Sequence, residues 1–277
     1  MTSLSQKNLM KLAKQSDAKG DTKTAIQNLE EALRDSQPTE IVIELCDLYL
    51  KSKQEDQAYA LIKEEPDLFS DERIFAEYSK ILQANHFLIE ALELEHLRRE
   101  KLSVKVKPAD LKTQQEIMRA FKTKKQVSQA DYEQLLKLDL VNFKTFAQSM
   151  LLDPSQNFAV RLSLCEDLVR LGVKDKIKVW IIGNQEEFVP AATSLLEKET
   201  IYQEIVSSMG SKYHNRPSQL PLVLGEVNLV LGSLYPKLSK YVDEPDSFAS
   251  DLSSYLENHD GRGHQKLFKA IYANLPQ

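Results

Sequence analysis

From Gln6 to about Glu100 the apolar residues recur at spacings of three and four, and the whole pattern repeats every 33 residues. Ala25, Ala58 and Ala91 mark the period. Leu12, Leu45 and Tyr78 stand thirteen positions before them, and Leu9, Val42 and Phe75 sixteen before. Spacings of three and four place residues on one face of a helix. A fixed period of this length predicts stacked helical hairpins, with a small residue where two helices approach. Six helices in three hairpins are expected. In the first, Leu9, Leu12 and Ala13 mark one face, Lys19-Gly20-Asp21 turns the chain, and Ala25, Ile26, Leu29, Ala32 and Leu33 mark the return. Gly20 suits the positive φ needed to leave a helix. Asp21 or Thr22 can cap the next helix, and Pro38 cannot continue it.

The helical pattern resumes after a break. Pro108 interrupts Val104-Lys105-Val106-Lys107, a short extended connector, and Ala109 to Lys122 reads as an amphipathic helix burying Leu111, Ile117, Met118 and Phe121. That helix is expected to cover the open end of the third hairpin, near Leu92 and Leu94. Ser128 opens a helix through Tyr132, Leu135 and Leu136. Asp139 caps another, with Phe143, Phe146, Ala147, Met150 and Leu151 inward, and Phe158 to Leu171 forms a third, ended by Gly172. Ile177, Val179 and Ile181 alternate with polar or aromatic neighbours, Gly183-Asn184 turns, and Phe188-Val189-Pro190 returns, which describes a β-hairpin. Helices at Ala191–Met209, Leu220–Leu234 (apolar enough to be central), Asp246–Leu256 and His264–Leu275 finish the chain. The fold class is therefore all-α: a helical-hairpin solenoid over 1–100, a basic connector and capping helix over 101–127, and a second helical domain over 128–277 with one hairpin near 176–190. No Gly/Ser/Pro-rich linker separates the halves, so a shared core is expected.

Composition narrows the class. Eight glycines in 277 residues disfavour turn-rich β folds. Cys46 and Cys165 each lie in a helical apolar pattern and read as buried, reduced thiols. Met1 to Lys11 lacks the apolar run of a signal peptide, and no stretch approaches the ~18 apolar residues of a membrane span. A cytoplasmic protein without a membrane partner is expected.

Leu9, Leu12, Ala13, Gly20, Asp21, Ala25, Leu29, Ala32 and Pro38 follow in order the pattern of the tetratricopeptide repeat, which the chain resembles over its first 100 residues. The second copy keeps Val42, Leu45, Cys46, Tyr49, Ala58 and Ile62, with Lys53 at the turn glycine. The third keeps Phe75, Tyr78, Ser79, Leu82 and Ala91, with His86 at the turn. The C-terminal half resembles that of uncharacterised tetratricopeptide-repeat proteins of Gram-positive bacteria, in its order of helix, Leu171-Gly172, hairpin, Val189-Pro190 and helix. The resemblance implies that the first helix of each hairpin lines a concave groove. The lining would be Lys7, Met10, Lys14 and Asp17; Glu40, Ile43, Asp47 and Leu50; and Arg73, Ala76 and Lys80. Lys14 and Glu44 stand where some members carry the Asn residues that clamp a C-terminal carboxylate, so that ligand class is not implied.

A lining of apolar anchors in a charged rim suits a peptide or a helix of another protein; the bland alternative is a solvated face. The function expected is a non-enzymatic protein-binding scaffold or adaptor with no cofactor. Two alternatives have residues behind them. Ten Lys/Arg against three acids between Arg98 and Lys125 could meet a phosphate backbone in an RNA- or ribosome-associated factor. The single aromatic there, Phe121, falls on the apolar face, which disfavours nucleic acid. His259 and His264, flanking Asp260, could serve a metal-dependent enzyme if they converged; a surface loop is the plainer reading, as it is for His214. No phosphate loop, dinucleotide fingerprint or nucleophile elbow is present. Trp180, the lone tryptophan, is either covered by a helix or an exposed anchor.

Overall fold

The computed structural model describes residues 3–34 and 36–275. It is an all-α fold with one small two-stranded antiparallel sheet. The chain divides into two compact units, Met1–Ala120 with Glu133–Leu140, and Phe121–Tyr132 with Val141–Gln277.

The first unit holds three hairpins: α1 (Leu4–Ala18) with α2 (Thr22–Ala32), α3 (Thr39–Lys51) with α4 (Glu55–Lys63), and α5 (Glu72–Asn85) with α6 (Leu88–Arg98). Each hairpin packs on the next, α2 on α3 and α4 on α5. The period is visible in the backbone. Asp21, Gln54 and Phe87, 33 residues apart, donate their amides to Ser16, Tyr49 and Leu82 at 2.9, 2.9 and 3.0 Å. This closes each helix with the same six-to-one bond, which requires a left-handed residue just before the donor. Gly20 supplies it at φ +79°; Lys53 and His86 take the same conformation at +57° and +61°. Ala25, Ala58 and Ala91 are buried where the helices cross. Ser3 and Gln6 form a capping box on α1, and the Gln6 amide then reaches the Ala32 carbonyl at 2.8 Å. Asp21 caps α2 by accepting the Thr24 amide at 3.1 Å.

Leu12 corrects the expected core. It is 49% exposed, whereas its counterparts Leu45 and Tyr78 are 1% and 0%. That side of α3 and α5, with Ile41 and Leu48, and Ile74 and Ile81, is buried within the stack. On α1 the counterparts are Asn8 and Gln15, both exposed, with no other described element covering them. Beyond α6 the connector runs back along the third hairpin: Gln83 donates to the Lys105 carbonyl at 3.0 Å, and the Leu102 amide to Glu95 at 3.1 Å. The 3-10 turn Gln134–Lys137 packs on α6, with the Lys137 ammonium over the Phe87 ring. Along α7 (Leu111–Thr123), of the four residues expected to be buried only Phe121 is; Ile117 and Met118 are half-buried. Leu111, at the first helical position, is 66% exposed. Gln114 is buried instead, donating to the Ala109 carbonyl at 2.8 Å and accepting the Asp139 amide at 3.1 Å.

After α8 (Gln129–Glu133), the second unit is built on α9 (Leu140–Leu151), α10 (Phe158–Arg170), α11 (Thr200–Tyr213), α12 (Leu220–Leu234), α13 (Leu238–Tyr241), α14 (Pro245–Asn258) and α15 (Gln265–Ala273). Its core joins Phe143, Leu164, Leu168, Val230, Leu234, Phe248 and Phe268, all at 0% exposure. Gly232 lies where α12 meets α10; a methyl group there would stand 3.2 Å from Leu162. Strands β1 (Ile177–Ile181) and β2 (Asn184–Phe188) pair with Ile177 opposite Phe188 and Ile181 opposite Asn184. The turn is thus Ile182-Gly183, one residue earlier than expected, at φ +42° and +79°. A two-residue turn of this hand favours glycine in second place, so Gly183 takes it and the strained position falls to Ile182. A lone hairpin is marginal, and here Gln148 of α9 adds a rung, donating to the Lys178 carbonyl at 2.8 Å and accepting its amide at 3.0 Å.

Two further expectations are corrected. The helix from Ala191 begins only at Thr200, preceded by 3-10 turns at Pro190–Ala192 and Leu196–Lys198. Backbone groups there bond elsewhere: Ala191 donates to the Val173 carbonyl at 2.9 Å, Leu196 to Glu166 at 3.2 Å, and the Ser194 carbonyl accepts the Tyr235 hydroxyl at 2.8 Å. Helix α12 is buried throughout only in its last turns; nearer its start Val223 and Val227 face inward while Leu222 is 73% exposed. Cys46 and Cys165 are free, buried thiols, and burial pushes both well above the ordinary thiol value.

Candidate functional site

The 33-residue period arranges the exposed side of α1, α3 and α5 in rows. Lys7, Glu40 and Arg73 occupy equivalent positions, as do Met10, Ile43 and Ala76, and Lys14, Asp47 and Lys80. Offsets of three and four along each helix bring the three sets to one face. The outer rows carry charge of alternating sign and the central row is apolar. Met10, Ile43, Asp47 and Leu50 are half-buried; Lys7, Lys14, Glu40, Arg73, Ala76 and Lys80 are exposed.

Ion pairs tie neighbouring first helices together. Lys14 meets Glu44 at 3.5 Å, Asp17 meets Lys51 at 2.9 Å, and Asp47 meets Lys80 at 3.5 Å. Each has a well-exposed partner, so each contributes at most ~1 kcal/mol and can be opened by a ligand. Arg73 is held by Asp71 at 2.8 Å, and its guanidinium and backbone amide keep that carboxyl down at about 2. Lys7, Met10, Lys14 and Glu40 also line a cleft of about 510 Å³, together with Lys11 and Gln15.

Sequence reasoning missed Glu77. It is 1% exposed, and one of its carboxyl oxygens has no hydrogen-bond partner. Lys80 donates to the other at 2.6 Å. Burial pushes the Glu77 carboxyl above its ordinary value; Lys80 opposes the shift and Asp47 adds to it. Its signal lay in the period, since Lys11, Glu44 and Glu77 are equivalent positions on the same helical side.

The other candidates are engaged locally. In the basic segment, Arg98 stacks 4.0 Å over the Phe75 ring, Lys101 pairs with Glu95 at 2.6 Å, Lys124 pairs with Asp131, and Lys122 stands 5.5 Å over Phe146. His264 bonds Asp251 at 2.8 Å, His259 lies edge-on to Tyr255, and Asp260 accepts the Arg262 amide at 3.1 Å. Among the described residues no three His, Cys, Asp or Glu side chains gather as metal ligands. His214 bonds the Ser211 carbonyl at 2.9 Å in an exposed loop. Trp180 is half-buried, between the two states expected of it. Among the described residues no helix is long and apolar enough to cross a membrane. No family model, curated protein or solved structure matches the chain.

Proposed function

We propose that this chain is a non-enzymatic scaffold of the tetratricopeptide-like kind, acting in the cytoplasm. In this reading the exposed side of α1, α3 and α5 binds a peptide or helix of another protein. The observation that carries it is the apolar row, half-buried at Met10 and Ile43 and exposed at Ala76, between two rows of alternating charge. Apolar anchors supply affinity and the flanking charges set register. The middle helix offers Glu40, Glu44 and Asp47, and the outer two offer Lys7, Lys11, Lys14, Arg73 and Lys80. A matching ligand carries basic residues at its centre and acidic ones at its ends. The RNA alternative ranks lower, because the single aromatic of the basic segment, Phe121, is buried and offers no platform for base stacking.

The test compares wild type with Ile43→Asp/Leu50→Asp and with Lys14→Glu/Arg73→Glu in affinity capture from native extract, with circular dichroism confirming that each variant is folded. A protein captured by wild type and lost by both variants supports the reading. Capture of the same proteins by all three overturns it.

A further inference from the structure

The face of the first unit carries its charge in stripes. Around the apolar row, the positions three before, one after and four after hold Lys7, Lys11 and Lys14 on α1, and Glu40, Glu44 and Asp47 on α3. On α5 they hold Arg73, Glu77 and Lys80, but Glu77 is buried and accepts from Lys80, so α5 shows a positive edge. A ligand parallel to these helices meets one sign. One that crosses them meets positive, negative and positive in turn. The ion pairs Lys14–Glu44, Asp17–Lys51 and Asp47–Lys80 leave Lys7, Lys11 and Glu40 without an ionic partner among the described residues, so a ligand reaches these three without breaking a bond.

The spacing of the rows selects a conformation. The two outer rows are seven positions apart, about 10.5 Å along each helix. An α-helix with its side chains is about 10–12 Å across, so one helix laid on the apolar row fills that width and reaches both charged rows. A single extended chain takes up about half of it. Packed helices lie about 8–10 Å apart, and seven residues of a helix advance about 10.5 Å. Each heptad of a crossing helix therefore stands over one helix of the face, with a mismatch per layer that long ionic side chains absorb. Beside Met10, the cleft of about 510 Å³ between Lys7, Lys11 and Glu40 offers a seat for a large apolar side chain of the first heptad.

We propose that the partner of this face is an amphipathic helix of three heptads lying across α1, α3 and α5. Its apolar stripe rests on Met10, Ile43 and Ala76, and its flanking residues are acidic in the first heptad, basic in the second and acidic in the third. The inference rests on the reading of α1, α3 and α5 as the binding face, and adds the conformation of the partner and the order of its charges. Opposite charges across an interface set register and partner choice, and like charges brought face to face are costly. A polyanion such as nucleic acid would face like charge along the whole of α3.

Labelled synthetic peptides of three heptads test it, each with Leu at the two inner positions of every heptad and Glu or Lys at the two flanking ones. The matched peptide carries Glu, Lys and Glu in successive heptads; the permuted one carries Glu, Glu and Lys, with composition and net charge unchanged. Fluorescence anisotropy is read against the intact chain at low ionic strength. The matched peptide should bind about tenfold or more tightly than the permuted one, because four flanking contacts change from attraction to repulsion. Glu40→Lys, at an exposed position, should weaken the matched peptide and strengthen an all-Glu one. A matched peptide with Pro at the outward position of its middle heptad cannot continue a helix and should bind weakly. Equal affinity for the matched and permuted peptides, undiminished binding of the Pro peptide, or no saturable binding of any peptide overturns the inference. In the first two cases loss of binding in folded Ile43→Asp/Leu50→Asp shows that the face itself still binds. Matched binding that persists in that variant removes the face and the inference together.

Discussion

Glu90 joins three helices of the first unit, and its removal should be among the most damaging single changes there. Tyr59 of α4 donates to one carboxylate oxygen at 2.7 Å; Lys63 of α4 donates to the other at 2.8 Å, and Tyr78 of α5 bonds that same oxygen. Tyr78 is fully buried, with Tyr59 at 7% and Glu90 at 8% exposure. Burial first, and the Glu90 charge next, push both phenols far above their ordinary range, so both remain donors wherever the protein is folded. In Glu90→Ala the two phenols lose their acceptor in a site water reaches poorly, at about 1–3 kcal/mol each. Lys63, 40% exposed in its side chain, rehydrates and contributes little more. The sum is about 2–6 kcal/mol, a large share of the stability of a domain. Tyr78→Phe removes one donor from a carboxylate that keeps two others and should cost about 1.5–3 kcal/mol. Urea unfolding followed by far-ultraviolet circular dichroism would measure both, with the double variant closing the cycle. The double variant should fall short of additivity by about 1.5 kcal/mol or more. A Glu90→Ala cost below about 1 kcal/mol, or strict additivity, would refute the idea that this cluster acts as a buried charged network.

Two more outcomes follow from single residues. Burial pushes the Asp167 carboxyl up to about 6, against the pull of Tyr132 at 2.6 Å and Arg170 at 2.9 Å. A raised folded value means the folded state holds the proton more tightly, so this stabilising contribution is complete below about pH 3.8 and is lost as pH rises through 6, by ~3 kcal/mol. The stability of wild type relative to Asp167→Asn should thus decline between about pH 4 and 7 and level off above, and a difference independent of pH would contradict it. At the hairpin, Ile182→Asn creates the Asn-Gly pair that this turn prefers and relieves a branched residue at φ +42°. It should raise stability by about 1 kcal/mol, read as a higher thermal midpoint; an unchanged or lower one would show that Ile182 gains more from its packing than it loses to strain.

The sequence was most informative where one pattern was written three times. The turn at Gly20 could be read from chemistry alone, but Lys53 and His86 adopt the same left-handed conformation without glycine, and only their register with Gly20 reveals it. The same register aligned Met10 with Ile43 and Lys14 with Asp47, so the rows of the candidate face were legible before their ion pairs were seen. Periodicity failed where tertiary bonds replaced local ones. Residues 191–199 have apolar content suited to a helix, yet the Ala191 and Leu196 amides are claimed by Val173 and Glu166. Leu12 fits the repeat but lacks the neighbour that buries its counterparts. Arg161 is 9% exposed and donates to the Trp180 carbonyl at 2.7 Å. It sits in a helical pattern beside Val160 and Leu164, and nothing along the chain marks it as different from a solvated arginine. Its environment is assembled from α10, the hairpin, α12 and α15, which no local window spans.

The polar side of α1 has a further consequence, for association. A stack of identical layers resembles a one-dimensional crystal, and an end that presents the same surface as its interior invites another copy to add. Asn8 and Gln15, in place of the isoleucine and leucine of the second layer and the two isoleucines of the third, remove part of that surface and leave Leu12 and Leu4 exposed beside them. A molecule docking on this side of α1 must strip water from two amide side chains as it covers the leucines. Addition of a further copy on this side is disfavoured to that extent by side chains that are exposed and lie outside the buried core of the hairpins.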